Sequence, residues 1–466
     1  MESKGQHLCL NPNSLNSVLD ELIRVHKQGT DSRWKAAGTM TDVLYPSHAP
    51  SDVHLPHQLD HSPGYPQTYD FSVKNKICCN SVALLQGGTR ETDLINARRI
   101  MTILKAIFFL SILQLSLSAV QKRNNYDPHV PFSGSDSWFE GWYTRIVDVK
   151  NGRSFASCAG SFCAGGKGCD GMSDQPGYLA FIHQDHNENR FQVEEMFPEH
   201  TKITLGQPPS SIDENPNSQT PARVFTWQAD GVGLFTNESI KLNMPEKNIR
   251  FTAEMTDPVY WDTENPGEGP EGIVSYFPLQ QHWFVYSLRS QVKYVYNGPQ
   301  GTMIGTGYAH QEKNWGSSFP SEWVWLHGIS QDGNSQLVLS GGNVPIVGGL
   351  SVHAWLVGLR SEKYDLDFRP QDLPTLFVPE VDACNGKFKM DVTHLTQRLI
   401  IEVEAPVDTF VDLAIPTANG FVKNGCVESY SAKITVSVYS WGSLVDTIIF
   451  ERSAIEFGAG YMCQNH

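Results

Sequence analysis

From about Tyr126 to the end of the chain, short apolar runs alternate with polar residues at a period of two, the spacing of half-buried β-strands. The stretch "HWFVYSLRSQVKYVYNG" alternates through Val292, Tyr294 and Tyr296 into Asn297-Gly298, a dipeptide suited to a tight hairpin because both positions tolerate positive φ. "RVFTWQAD", "SVHAWLVGLRS", "KYDLDF", "RLIIEVEAP", "KITVSVYS" and "LVDTIIFE" continue the pattern, punctuated by Gly, Pro, Asn and Asp. No amphipathic helical period and no short repeat follows Gln121. The pattern predicts an all-β barrel or pair of packed sheets, with "GQPPSSIDENPNSQTPA" as a surface loop. An internal boundary is expected near 262–272, in "DTENPGEGPEG".

The first 125 residues read differently. In "RRIMTILKAIFFLSILQLSLSAVQKRNN", Arg98, Arg99 and Lys105 precede an apolar run from Ala106 to about Val120, and Ser116, Ser118 and Ala119 supply the small residues of a cleavage site. A basic segment, a short apolar core and small residues form a secretory signal peptide. The run is shorter than the roughly 20 residues that cross a bilayer as a helix. Translation from Met101 would make residues 101–119 that signal peptide and deliver the chain to the secretory pathway or an endomembrane lumen. The competing reading is a membrane anchor over 101–120. Residues 1–100 are then a disordered extension or sequence upstream of the true start; Trp34 is the only one of 11 tryptophans before Met101.

Composition narrows the partners. A net charge of -15 without a basic stripe excludes a nucleic-acid partner. Nine cysteines, less Cys9, Cys78 and Cys79, leave Cys158, Cys163, Cys169, Cys384, Cys426 and Cys463, an even set expected to form disulfides in an exported chain. The spacing of "CAGSFCAGGKGC" is not the paired type of a zinc site, and His183 and His186, three apart on a strand, point to opposite faces, so no metal site is expected. Asn237 in "NES" is a glycosylation acceptor triplet. No phosphate loop and no G-x-S-x-G elbow is present.

Two aromatic stretches carry the candidate chemistry. In "SDSWFEGWYTRIVD", strand alternation puts Trp138, Glu140 and Trp142 on one face and Phe139, Gly141 and Tyr143 on the other. In "GYAHQEKNWGSSFPSEWVWLHG", His310, Glu312, Lys313 and Asn314 precede Trp315, and Trp323, Trp325 and His327 share a strand face. Aromatic walls with a few fixed polar groups are what a pocket for an apolar ligand needs. The same residues also suit a tryptophan-packed core with Glu312 and Lys313 as a solvated pair.

"WFEGWY" and "EKNWGSSFPSEWVWLHG", with "QHWFVYSLRS" ahead of the second, resemble the signature stretches of the tocopherol cyclase family, in the same order. The resemblance spans roughly Tyr126 to Cys463. It implies two lipocalin-like β-barrel or sandwich domains, related in architecture to carotenoid hydratases and Diels-Alderase-type cyclases. It further implies a cofactor-free, acid-catalysed closure of a prenylated hydroquinone, with a prenylated phenol or isoprenoid lipid as partner and peripheral membrane contact for its access. Carried over by residue, Glu140, Glu312, Lys313 and Asn314 are the catalytic candidates, and Trp138, Trp142, Tyr143, Trp315, Trp323 and Trp325 the substrate-binding ones.

The reaction calls for an acid kept protonated by apolar surroundings and for aromatic faces toward a developing cation. Glu140 and Glu312 compete for the proton donor. Lys313 is the partner expected for Glu140 if that acid is buried as an ion. A secreted, non-catalytic lipocalin-like carrier of a hydrophobic ligand is the alternative, and a structural β protein the third reading.

Overall fold

The computed structural model describes residues 125–129, 137–164, 175–205, 225–276, 279–346 and 350–463. The expected leader at 101–119, the anchor alternative at 101–120, the extension at 1–100 and Cys169 lie outside the described residues. What is described is all-β, as the period-two pattern predicts, and every named strand pairing is antiparallel.

The first sheet contains β1 (Trp138–Asp148), β2 (Arg153–Cys163), β3 (Gly177–Asp185), β4 (Arg190–Met196), β5 (Thr201–Leu205), β6 (Phe225–Ala229), β7 (Gly233–Phe235), β8 (Ser239–Met244), β9 (Ile249–Val259), β10 (Gln281–Gly298) and β11 (Gly301–Gly316). Their order is β4-β3-β2-β1-β11-β10-β9-β8-β7-β6-β5, which puts β1 between β2 and β11. The second sheet contains β12 (Glu322–Ile329), β13 (Gln336–Ile346), β14 (Leu350–Arg360), β15 (Asp365–Phe368), β16 (Thr375–Asp382), β17 (Lys387–His394), β18 (Gln397–Glu404), β19 (Val411–Thr417), β20 (Gly420–Ser440) and β21 (Ser443–Ala459). It runs β15-β14-β13-β12-β21-β20-β18-β17-β16, with β19 paired to β20.

The sheets change between Gly316 and Glu322, not near 262–272. That stretch joins β9 to β10 inside the first sheet. Its Pro, Gly and acidic residues mark an irregular connection between strands rather than a boundary between units.

Because successive side chains leave a strand on opposite faces, the central strands are buried on both sides. One face of β1 and β11 enters a core of the first sheet with Trp138, Trp142 and Trp315. A second core lies within the second sheet around Leu326, Trp355, Met390 and Phe450. A third is built by both sheets, with Trp283 and Ala180 from one and Trp323, Trp325 and Tyr430 from the other.

Cys384 is disulfide-bonded to Cys463, and Cys163 is also in a disulfide. Cys158 and Cys426 are free thiols, against expectation. They sit on β2 and β20, strands of different sheets whose positions are fixed by their own ladders; an even count of cysteines contains no such geometry. Asn237 lies half-buried in the turn between β7 and β8, with its side-chain oxygen out of solvent.

Candidate functional site

Alternation along β1 and β11 divides the two aromatic stretches between two environments. Glu140 and Lys313 turn into the first core and meet there. Lys313 Nζ donates to Glu140 Oε1 at 2.8 Å, the backbone N–H of His129 donates to Glu140 Oε2 at 2.9 Å, and Lys313 also donates to the carbonyl of Asp127 at 2.8 Å. The ammonium lies 4.7 Å from the Trp315 ring centre, and His129 stacks on Trp315 at 4.0 Å. Burial raises the Glu140 carboxyl, but the Lys313 charge and the His129 contacts outweigh it and hold the group below its ordinary value. Burial likewise pulls the Lys313 ammonium down, against the attraction of Glu140.

Glu140 is therefore an ion-paired carboxylate that fastens residues 127–129 to the first core, and not the protonated acid expected of it. Trp142 donates to Tyr286 Oη at 3.2 Å in the same core, alongside Trp138 and Trp315. These five candidates belong to the core, and Glu140 and Trp142 also border the cavity described next. The anticipated Glu140–Lys313 pairing holds; a catalytic role for either does not follow from it.

The opposite faces meet across the gap between the sheets. There Gly141 and Gly160, directly paired across β1 and β2, leave a floor without side chains. A cavity opens over it, with about 860 Å³ of atom-free space that runs out to solvent. Its walls include Tyr143, Tyr178, Trp283, Phe319, Trp323 and Trp325. At one side Gln281 donates to Asn314 Oδ1 at 3.0 Å, and both line the cavity.

Besides Glu140, whose carboxylate is taken up by Lys313 and His129, three glutamates line the same space. Glu312, 4% exposed, accepts at Oε2 from Trp325 Nε1 at 3.0 Å and lies 2.9 Å from His310 Nε2. Glu428 on β20 and Glu456 on β21 are direct register partners. Tyr143 Oη lies 2.7 Å from Glu428 Oε1 and Tyr430 Oη 2.6 Å from Oε2. Trp323 Nε1 donates to Glu456 Oε1, and Cys426 Sγ lies 3.5 Å from Oε2.

Among the described residues neither Glu428 nor Glu456 is in an ion pair. Burial, reinforced by the facing Glu456, pushes the Glu428 carboxyl up to about 8, against its tyrosine contacts and the more distant Arg145. Burial pushes Glu456 up to about 7, opposed by Trp323 and Cys426. The thiols of half-buried Cys158 and buried Cys426 face these carboxyls, and desolvation together with the neighbouring carboxylates pushes both well up, so they stay protonated.

Behind the carboxyls lies a buried polar group. Arg145 Nη1 meets His327 Nδ1 at 3.0 Å, its Nη2 donates to the carbonyl of Arg452, and the His310 and His327 rings stack at 4.1 Å. Burial, then the neighbouring His310, pulls His327 well down, so it is neutral.

Of the residues singled out by sequence, Tyr143, Glu312, Asn314, Trp323 and Trp325 converge on the cavity, and Glu140 and Trp142 border it while their polar groups are bonded within the first core. Glu428 and Glu456 were missed. Their signal is faint: in "GCVESYS" alternation aligns Cys426, Glu428 and Tyr430, and in "SAIEFG" one glutamate stands between Ile455 and Phe457.

The chain matches the tocopherol cyclase-like family over residues 136–459, a span that contains both aromatic stretches and the cavity glutamates Glu140, Glu312, Glu428 and Glu456. It belongs to that family. No curated protein sequence matches the chain. Among solved structures, CghA with Sch210972 is 8% identical with a TM-score of 0.45, covering 74% of this chain and 98% of that one. An AttH candidate from Nitrosomonas europaea is 13% identical with a TM-score of 0.42, covering 74% and 97%. Kievitone hydratase from Nectria haematococca is 12% identical with a TM-score of 0.39, covering 73% and 93%. Membership in the tocopherol cyclase-like family supports a cyclase-like enzyme, and the cavity between the sheets is where this member gathers its titratable groups.

Proposed function

We propose that the chain cyclises a prenylated hydroquinone, phenol or related isoprenoid by acid catalysis, with Glu428 supplying the proton. The observation that carries this reading is a buried carboxyl group, in no ion pair among the described residues and pushed up to about 8 by burial, in a cavity walled by aromatic rings.

Cyclisation needs a proton on a trisubstituted alkene, tolerance of the tertiary cation that follows, and capture of that cation by the phenolic oxygen. Glu428 has a hydroxyl on each of its oxygens. When protonated it must donate toward one of them, because a carboxylic acid has a single O–H. Donation to Tyr143 frees the hydrogen of that hydroxyl for the cavity, so Glu428 and Tyr143 act as one donor. Trp283, Trp323 and Trp325 present π-systems that stabilise a nearby cation by roughly 0.5–2 kcal/mol each. The glycine floor admits a flat ring, and holding oxygen and alkene carbon in near contact contributes rate by orientation.

The test compares the wild type with Glu428→Gln and Glu456→Gln on a geranyl-substituted hydroquinone, following product by chromatography and binding by tryptophan fluorescence. Glu428→Gln is expected to lose about 100- to 10,000-fold in turnover, the usual range for removing a general acid, while binding survives. Binding without turnover by the wild type would point to the carrier instead.

A further inference from the structure

The proposed reaction moves two protons, and the donor accounts for one. As the C–O bond forms, the phenol must lose its hydrogen. Four glutamates line the cavity, and their oxygens are not equally free: those of Glu140 are taken by Lys313 and the His129 N–H. Both oxygens of Glu428 are engaged by tyrosine hydroxyls, and both of Glu456 by Trp323 and Cys426. Glu312 differs. His310 and Trp325 both meet its Oε2, and Oε1 has no hydrogen-bond partner among the described residues.

We infer that Glu312 is the base that takes the phenolic proton at Oε1, and that His310 and Trp325 are positioning residues that fix its other oxygen. This rests on the cyclase reading above. The step balances without a redox partner. The alkene π pair forms a C–H bond with the donor's proton, leaving a tertiary cation. An oxygen lone pair closes the C–O bond, the phenolic O–H breaks with its electrons staying on oxygen, and the proton passes to Glu312 Oε1. One proton enters the substrate and one leaves it, and Glu312 returns its proton toward Glu428 before the next turnover.

The supports of Glu312 come from both sheets. His310 is two residues away on β11, whereas Trp325 belongs to β12 and stands opposite Glu456 in register. The base and the donor are thus held against each other by the sheet interface: Tyr143, whose hydroxyl contacts Glu428, is the direct strand partner of Glu312.

The role predicts a change in the kind of product rather than a uniform loss. Without the base the cation still forms, but water traps it as a tertiary alcohol or it loses a proton as an isomerised alkene. The experiment gives a geranyl-substituted hydroquinone, and its phenol methyl ether, to the full-length wild type, Glu312→Gln and His310→Gln, and analyses products by mass spectrometry. On the hydroquinone, Glu312→Gln is expected to form the chromanol at least about 100-fold more slowly, while the share of hydrated and isomerised products rises. His310→Gln, which keeps a donor near Oε2, is expected to fall between.

On the methyl ether, which has no phenolic proton to remove, Glu312→Gln is expected to lose at least about tenfold less of the wild-type rate than it loses in chromanol formation on the hydroquinone. An unchanged chromanol share in Glu312→Gln overturns the inference. So does equal loss on both substrates in a variant whose far-UV spectrum and ligand binding match those of the wild type. If the wild type consumes neither substrate, the cyclase reading itself fails.

Discussion

Glu428 makes the pH dependence of this protein calculable in sign. Its carboxyl and that of Glu456 are raised by burial to about 8 and about 7, and because they face each other they titrate as a coupled pair. An acid that must be protonated to act loses rate as the pair ionises, so kcat/KM is expected to fall as pH rises through about 7 to 8. The same shifts act on stability. The ordinary carboxyl value is 4.5, so between there and about 8 the folded state holds protons that the unfolded chain has released. Stability is therefore present at low pH and lost as pH rises through that window. Thermal scans from pH 5 to pH 9 should show a falling Tm in the wild type and a flatter profile in Glu428→Gln, whose amide does not ionise. A Tm that rises over that range would contradict the assigned environment. Glu140 has the opposite character: Lys313 keeps it ionised, and removing one partner strands the other as a buried charge. Lys313→Met alone is expected to cost about 3–5 kcal/mol in urea unfolding, and Glu140→Gln with Lys313→Met together much less.

The strand β1 shows how far the sequence could be read at the level of an element. Its alternation, with Trp138, Glu140 and Trp142 against Phe139, Gly141 and Tyr143, is present in the structure as it is in the sequence. Which face meets the cavity is not readable, because both are buried and tryptophans suit a closed core as well as a ligand wall. The acid drew attention to the wrong face. On the other side, the residue that matters in "WFEGWY" is Gly141, which has no side chain to notice. A Cβ built there would come no nearer than 3.5 Å to Ala159 O and 3.8 Å to Gly160 Cα, ordinary contact. Gly141→Ala should therefore fold normally. In Gly141→Leu the larger group enters the cavity, where overpacking costs about 1–3 kcal/mol and should weaken ligand binding by roughly 10- to 100-fold while the far-UV spectrum is unchanged. Gly458, on the facing sheet, is the contrast: a Cβ there would overlap the Trp323 ring, so Gly458→Ala should displace a cavity wall and lower stability as well as binding. Equal behaviour of the two alanine variants would refute this division.

At the scale of the whole molecule, the site exists only where the two sheets meet. Tyr143 and Glu428 are 285 residues apart in sequence, and nothing local to "GCVESYS" announces that β20 will lie opposite β1. Strand type is set by neighbours in the chain, whereas the carboxyl wall is set by which sheet packs on which, and that is why the fold class was legible and the acids were not. The sheets share an apolar core as well as buried polar contacts such as Tyr143 to Glu428, and the ladders of each sheet hold the strands that carry them. In the second sheet the Cys384–Cys463 disulfide contributes to this. It ties the turn after β16 to the chain just beyond β21, across a sequence separation of 79. In the chain-entropy account a loop of that length stabilises by about 4.5 kcal/mol, because the unfolded chain loses the freedom to separate its ends. Glu456 is itself fixed on β21 by ladders to β12 and β20, which do not need the bridge once the sheet is folded. Replacing both cysteines by alanine is therefore expected to lower the urea midpoint strongly while turnover at low temperature changes by less than about twofold. Loss of turnover with an unchanged midpoint would mean that the bridge sets the position of the carboxyl wall directly, and that the strand ladders alone do not hold it.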